Sequence, residues 1–464
     1  MDILDLSRLS LAELQAGYNE LRIDPVQVME ITFDQIERVN EELTALYDLR
    51  RDASFAAAKE AGRRFRDGIP AGPLDGVPVS IKDSVNASGM VWRHGSKIHG
   101  DGIVATVDSP PVAKLKAAGA IIFGKGTMPD FGLSGSGVSS CYGVVRNPWG
   151  KSWNPGGSSA GAGASLAAGI GMMSVGTDIA GSVRLPSSHC GLATIKPTQG
   201  MIAHTPASDV RSPGPMVRYA ADLEAYLRIL GGVHAADRFS VPVTEPERDF
   251  GEATVAVYGE FGFGPSVEPA VQQALETAET AMGRLVRHVV KGSKHFDFDA
   301  ILPMEESFKL RGWREHTSVP QAMRANTPME IFAWFAEAER WGGDRIARFE
   351  AGIAKGVARS NALFDDADFL LTPVMPVVNF PATERAPDPL NPIRHCTFTA
   401  PFNQSGHPAA AICAGSDARG LPIGVQIVGK RFDDVRLCRL AAALETEIRG
   451  GGRQIRDWPL VPRD

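Results

Sequence analysis

The stretch Asn154–Ser165, NPGGSSAGAGAS, decides how this chain is read. Gly157 to Gly161 spells G-x-S-x-G, the written form of a hydrolase nucleophile elbow centred on Ser159. An elbow needs an apolar strand directly before the serine, a helix after it, and then an acidic residue and a histidine in that order. The residues before this serine, NPWGKSWNPGG, cannot be a strand interior, because Pro148, Pro155 and three glycines interrupt them. His407 can be drafted as a distal base, but nothing around it marks it for that role. Shortly afterwards GTDIAGSVRLP (176–186) sets a second serine, Ser182, in another glycine turn, and no histidine lies between the two. Two candidate nucleophiles without a histidine need a different base.

VPVSIK (77–82) offers one. It reads as a short buried strand ending in Lys82. A lysine there either sits at the strand end and snorkels to water, or is buried and loses its charge, since desolvation disfavours the ammonium. In the second case a neutral amine serves as general base without histidine. Asp83, next along the strand, points to the opposite face and need not hold the charge on Lys82. Consecutive N–H groups in the turn Thr177–Arg184 can converge on one point, as an oxyanion pocket requires. Lys82, Ser158 and Ser182 together suggest a Ser–Ser–Lys relay.

Around these motifs the chain alternates helix and strand. LSLAELQAGY and DPVQVMEITFDQIERVNEEL carry apolar residues at helical spacing, the second with Asp24 as N-cap and Pro25 at the first helical position. PPVAKLKAAGA reads as a helix, AIIFGK as a strand, ATVAVYG (253–259) as a strand between helices at 222–232 and 266–287, and 303–365 as a long helical tract. DFLLTPVMP (368–376) and LPIGVQIVG (421–429) return to strand. The pattern predicts an α/β fold, one domain with a large mixed sheet flanked by helices. Within residues 1–464 the divisions are N-terminal helices (1–70), a core (71–232), a variable helical region (235–370) and a C-terminal return to the core (371–464).

Composition narrows the class. The 464 residues are 44% hydrophobic and 22% charged with a net charge of -6, ordinary for a globular protein. The 48 Lys and Arg form no basic stripe, so no nucleic-acid partner is expected. Five dispersed cysteines, no CxxC pair, no apolar run of spanning length and an acidic, amphipathic N-terminus point to a cytoplasmic protein without a membrane partner. Gly119–Lys125 copies a P-loop but has Gly126 where Ser or Thr would hold Mg²⁺, and its middle is strand-like. The ten histidines show no metal spacing; His94 and His99, five apart, read as ordinary surface or loop residues.

The ordered blocks GGSSAG (156–161), GTDIAGSVRLP (176–186) and GLATIKPT (191–198) resemble the amidase signature hydrolases. PLDGVPVSIKD (73–83), PGPMVRYAADLEAYLRILGG (213–232), TPVMP (372–376), FNQSGHPAA (402–410) and GLPIGVQIVG (420–429) are similar to further blocks of that family, so the resemblance covers nearly the whole chain. It implies Ser182 as nucleophile, Ser158 on a cis peptide as proton relay and Lys82 as final base. It also implies an oxyanion hole from the N–H groups around Ile179, Ala180, Gly181 and Ser182. Ser159 and Thr177 become supporting residues, and Asp178 and Arg184 hold the loop. No metal and no organic cofactor are implied, and a homodimer is expected from family habit.

The reading is therefore a hydrolase of linear amides (carboxamide, anilide or hydrazide) acting through a Ser182 acyl-enzyme. One alternative is the A subunit of a tRNA-dependent glutamine amidotransferase. Cys396 stands where that subunit carries an acidic residue, and Leu185 where it commonly carries Gln, which weighs against it. The other alternative is an α/β-hydrolase-type esterase using Ser159. Walls drawn from Cys141–Val145, the tract around Trp313 and Phe402 would favour an aromatic or apolar acyl group over a highly charged one.

Overall fold

Pro78–Lys82 is buried along its whole length, and its neighbours explain why. It runs between two parallel partners, Ile121–Gly126 and Met173–Asp178. A parallel strand covered on both faces has no solvent side to alternate towards, so it is written as a nearly continuous apolar run. The structure is a computed structural model that describes residues 1–450 and 457–464. In it eleven strands form one sheet. Their spatial order is Leu46–Tyr47, Ile121–Gly126, Pro78–Lys82, Met173–Asp178, Ser212–Val217, Ala193–Lys196, Ala409–Ser416, Pro422–Gly429, Phe369–Pro373, Thr254–Val257 and His288–Lys291. Thr254–Val257 is also parallel to both of its neighbours, and the remaining pairs are antiparallel. The predicted mixed α/β sheet flanked by helices is what forms.

The N-terminal helices are Ile3–Arg8, Leu11–Asn19, Pro25–Leu43 and Arg51–Arg66, of which Pro25–Leu43 is the longest. Asp24 caps Pro25–Leu43, its carboxylate accepting from Val26 N at 2.7 Å. Met29, Phe33 and Ile36 on its buried stripe pack with Phe123, Ala160 and Ala164. Each such side chain removed from water contributes about 1.5–3 kcal/mol. Helix Ala160–Ala167 is built of small residues because its surroundings leave no room: a Cβ on Gly161 would stand 2.1 Å from the Ala45 carbonyl oxygen. Gly163 faces helix Arg184–Cys190, where an added Cβ would stand 3.1 Å from Pro186 Cβ, so the two glycine-rich motifs end up side by side.

Two expectations change. The tract 303–365 is not one helix but Ile301–Ser318, Gln321–Arg324, Met329–Phe335 and Gly343–Ala362. Pro320, Pro328 and Gly342 occupy the N-cap positions of the last three, and proline cannot continue a preceding helix. The helix in 266–287 is shorter, Pro269–Met282, and His288–Lys291 after it is an exposed edge strand with no apolar face to announce it. The P-loop look-alike is indeed a strand. Lys125 donates to the Asp83 carbonyl at 2.8 Å, and burial pushes its pKa down to about 8. No described helix is long and apolar enough to cross a membrane.

Candidate active site

Strands Pro78–Lys82 and Met173–Asp178 are parallel, with Ile81 opposite Val175, so their C-terminal ends lie together. Ligand sites of open α/β sheets form beyond such ends. Lys82 closes the first strand and is 1% exposed. Its Nζ donates to Ser158 Oγ at 2.7 Å, with Thr177 Oγ1 at 3.2 Å and the Thr177 carbonyl at 3.3 Å as further acceptors. Burial, reinforced by the field of Arg211, holds this ammonium well below the usual lysine range, and Asp178 only partly offsets it. Asp83 opposes the shift only weakly and makes no hydrogen bond to Lys82. Its carboxylate accepts from the hydroxyls of Tyr47 and Tyr142 and from the N–H groups of Arg93 and Gly95.

The Gly157–Ser158 peptide bond is cis. Ser159, adjacent, is fully buried; its N–H donates to the Ser182 carbonyl at 3.1 Å and its hydroxyl to the Thr177 carbonyl at 3.5 Å. His407, the distal base that an elbow would have needed, is stacked on Phe364 and hydrogen-bonded to Ser405 at 2.8 Å. Ser182 is half-buried and lines a narrow cavity together with Lys82, Ser158, Thr177 and Ile179. A roomier cavity of about 410 Å³, lined by Leu133, Ile331, Trp334 and Arg385, contains neither serine. Lys82, Ser158 and Ser182 meet only in the narrow one of the two.

Asp178 organises the serine turn. Its carboxylate accepts from Gly181 N at 2.7 Å, Val183 N at 3.2 Å and the Arg184 guanidinium at 2.9 and 3.0 Å. Burial alone would raise its pKa, but Arg184, Lys196 and Asn403 hold it far below the ordinary carboxylate range. Arg184 in turn donates to the Thr399 carbonyl, Gln426 Oε1 and Asn403 Oδ1. Gly181 has φ +128, where a side chain is strained. Its N–H points into Asp178, which differs from the expected oxyanion role. Of the four residues assigned to that hole, Ile179, Ala180 and Ser182 keep N–H groups with no acceptor among the described residues.

Other expectations are corrected. His94 is not a surface residue: it is buried, lines the same cavity, and its Nδ1 is hydrogen-bonded to Glu315 Oε1, which also lies 3.4 Å from His99 Nε2. Trp92 packs on both rings. These three ligand-type atoms lie within 4.8 Å of one another, a convergence invisible at a spacing of five residues. Phe402 is fully buried in a separate aromatic core, and Cys141 faces a different surface hollow, so neither lines the serine cavity. Arg211 and Arg311 line it instead. Neither was singled out from sequence; the only signal was the nearness of Arg311 to Trp313.

Known proteins agree with this arrangement at the level of fold and family. The chain is 32% identical to the glutamyl-tRNA(Gln) amidotransferase A subunit of Anaeromyxobacter dehalogenans, over 96% of this chain and 97% of that protein. A bacterial aryl acylamidase of the amidase signature family superposes with a TM-score of 0.88 at 24% identity, covering 98% of each chain. The glutamyl-tRNA(Gln) amidotransferase A subunit from Thermotoga maritima superposes at 0.75 with 25% identity, covering 96% of each. The family model described as Amidase matches residues 27–438, and the chain accordingly belongs to the amidase family, enzymes that hydrolyse the carbon–nitrogen bonds of amides.

Proposed function

We propose that the protein hydrolyses a linear amide through an acyl-enzyme on Ser182. The observation that carries this reading is the 2.7 Å contact between Ser158 Oγ and a buried lysine amine, in a cavity that Ser182 also lines. Ser182 Oγ attacks the amide carbonyl while its proton passes to Ser158, whose own proton moves to neutral Lys82. The tetrahedral oxyanion is held by N–H groups of Ile179, Ala180 and Ser182, and Gly181 keeps the turn in shape through Asp178. When the C–N bond breaks, the proton on Lys82 returns through Ser158 to the departing nitrogen, releasing ammonia or an amine. A water molecule, deprotonated by the same relay, then attacks the ester carbonyl and frees the acid and Ser182. No metal or organic cofactor is assigned a role.

A more specific reading is favoured by the sequence comparisons over a free-standing hydrolase: the A subunit of a tRNA-dependent amidotransferase, which would supply ammonia from glutamine to partner chains. Its support is the 32% identity to a protein of that name across nearly both full lengths. Against it stand Leu185 and Cys396, both buried in one apolar cluster with Ala180. The readings differ in assembly and substrate. A free-standing enzyme is expected as a homodimer that releases amine from a panel of amides unaided; an amidotransferase component would require its partner chains for efficient glutamine hydrolysis.

The shared chemistry is tested with a serine-directed fluorophosphonate followed by peptide mapping. Label is expected on Ser182 and absent from Ser182→Ala. Label on Ser159 would restore the elbow and overturn the relay.

A further inference from the structure

The cavity before Ser182 contains more positive charge than the protein around it neutralises. Arg211 and Arg311 both line it, and neither is ion-paired to a carboxylate among the described residues. Arg311 Nη1 is buried without any hydrogen-bond partner, and its Nη2 reaches only the Phe131 carbonyl at 3.4 Å. The guanidinium of Arg211 lies 3.4 Å from His204 Nε2, a ring that burial and Arg211 itself hold near a pKa of about 3. Glu315, the one carboxylate acting on both arginines, is already bonded to His94 and His99. Asp178 is taken by Arg184. Burial, followed by repulsion from Arg311, lowers Arg211 to about 9, which registers the same shortage of negative charge.

Buried charges in proteins are paired or hydrogen-bonded, and the partner missing here is not supplied by the described residues. A guanidinium fork matches a carboxylate in a bidentate geometry. The cavity is narrow, about 10 Å³, which leaves room beside Ser182 for a small group only. We infer that Arg211 and Arg311 form a carboxylate subsite beside Ser182, and that the substrate is a short amide carrying its own carboxylate a few bonds from the scissile carbonyl. This rests on Ser182 being the nucleophile, and it reverses the apolar acyl group expected from sequence.

The test is isothermal titration calorimetry on Ser182→Ala with succinamate and with succinamide, which differ only in exchanging a carboxylate for a neutral amide. Succinamate is expected to bind about tenfold to a hundredfold more tightly, as charge-assisted hydrogen bonds allow. In Ser182→Ala carrying Arg311→Met or Arg211→Met, the ratio is expected to collapse towards one, with Arg311→Lys restoring part of it. Equal binding of the two ligands, no detectable succinamate binding, or a ratio that survives both Met substitutions overturns the subsite. The underlying reading is checked separately on the wild-type chain. Fluorophosphonate labelling of Ser182 with no succinamate preference removes the subsite alone. A preference without Ser182 labelling removes the nucleophile assignment, and with it the claim about substrate.

Discussion

Lys82 illustrates how burial, reinforced by the charge of Arg211, lowers the pKa of a strand-end ammonium in the way the proposed base requires. Its folded pKa lies below the unfolded value of about 10.4. Between those two values the unfolded chain binds more protons than the folded one, so the contribution of this residue to stability improves as pH rises through the window. Under the proposed relay activity is expected to rise with pH in the same direction, since the deprotonated amine is then the working form. Lys82→Met keeps the stem and removes the amine. It is expected to fold with thermal stability equal to or above the parent while losing about 10²–10⁴ in rate, the range of general-base assistance. Thermal unfolding and a pH–rate profile check this, and full activity in a folded Lys82→Met protein would defeat the relay. Lys82 could be singled out as a charge ending an apolar strand, and both serines as members of glycine-rich turns. Arg211 and Arg311 could not: each is an ordinary surface residue type in its own segment, and only folding points them at one cavity.

At the level of the element, the turn between strand Met173–Asp178 and helix Arg184–Cys190 is where local sequence determines most. Gly181 sits at φ +128, and a Cβ there would lie 2.6 Å from Thr399 Oγ1. Gly181→Ala is expected to cost about 1–3 kcal/mol of stability and to lower kcat more than it raises KM, since the turn presents the oxyanion donors; denaturant titration with steady-state kinetics checks both. A similar argument applies at Gly132, where φ is +64 and an added Cβ would meet Ser158 Oγ at 3.3 Å. Glycines of this kind could be picked out as a motif. Which N–H of the turn stays free could not, because Asp178 chooses among them only after the strand has placed its carboxylate. The apolar central strands were likewise readable, whereas His288–Lys291, half polar at the sheet edge, was not.

Across the whole molecule, Arg184 joins the serine turn to the C-terminal return. It is fully buried, and its donors end on Asp178, Thr399, Asn403 and Gln426. Arg184→Met would leave the Asp178 carboxylate buried without its ion-pair partner, a change that typically costs about 3–5 kcal/mol. The loss should appear in equilibrium unfolding near neutral pH and shrink in acid. The depressed pKa of Asp178 gives stability that is present above the ordinary carboxylate value and lost as pH falls through the folded one. A loss of the same size at every pH would mean that the pair contributes packing alone.

The same guanidinium also sets an order in time. A nascent chain of residues 1–390 already contains Lys82, Ser158 and Ser182, yet three of the four acceptor residues of Arg184 have not been translated. Until they emerge and the Pro422–Gly429 strand docks, the serine turn has only its own Asp178 contacts and the Ser159 N–H to hold it. The buried support of the serine turn is therefore complete only when Gln426 has emerged, late in synthesis.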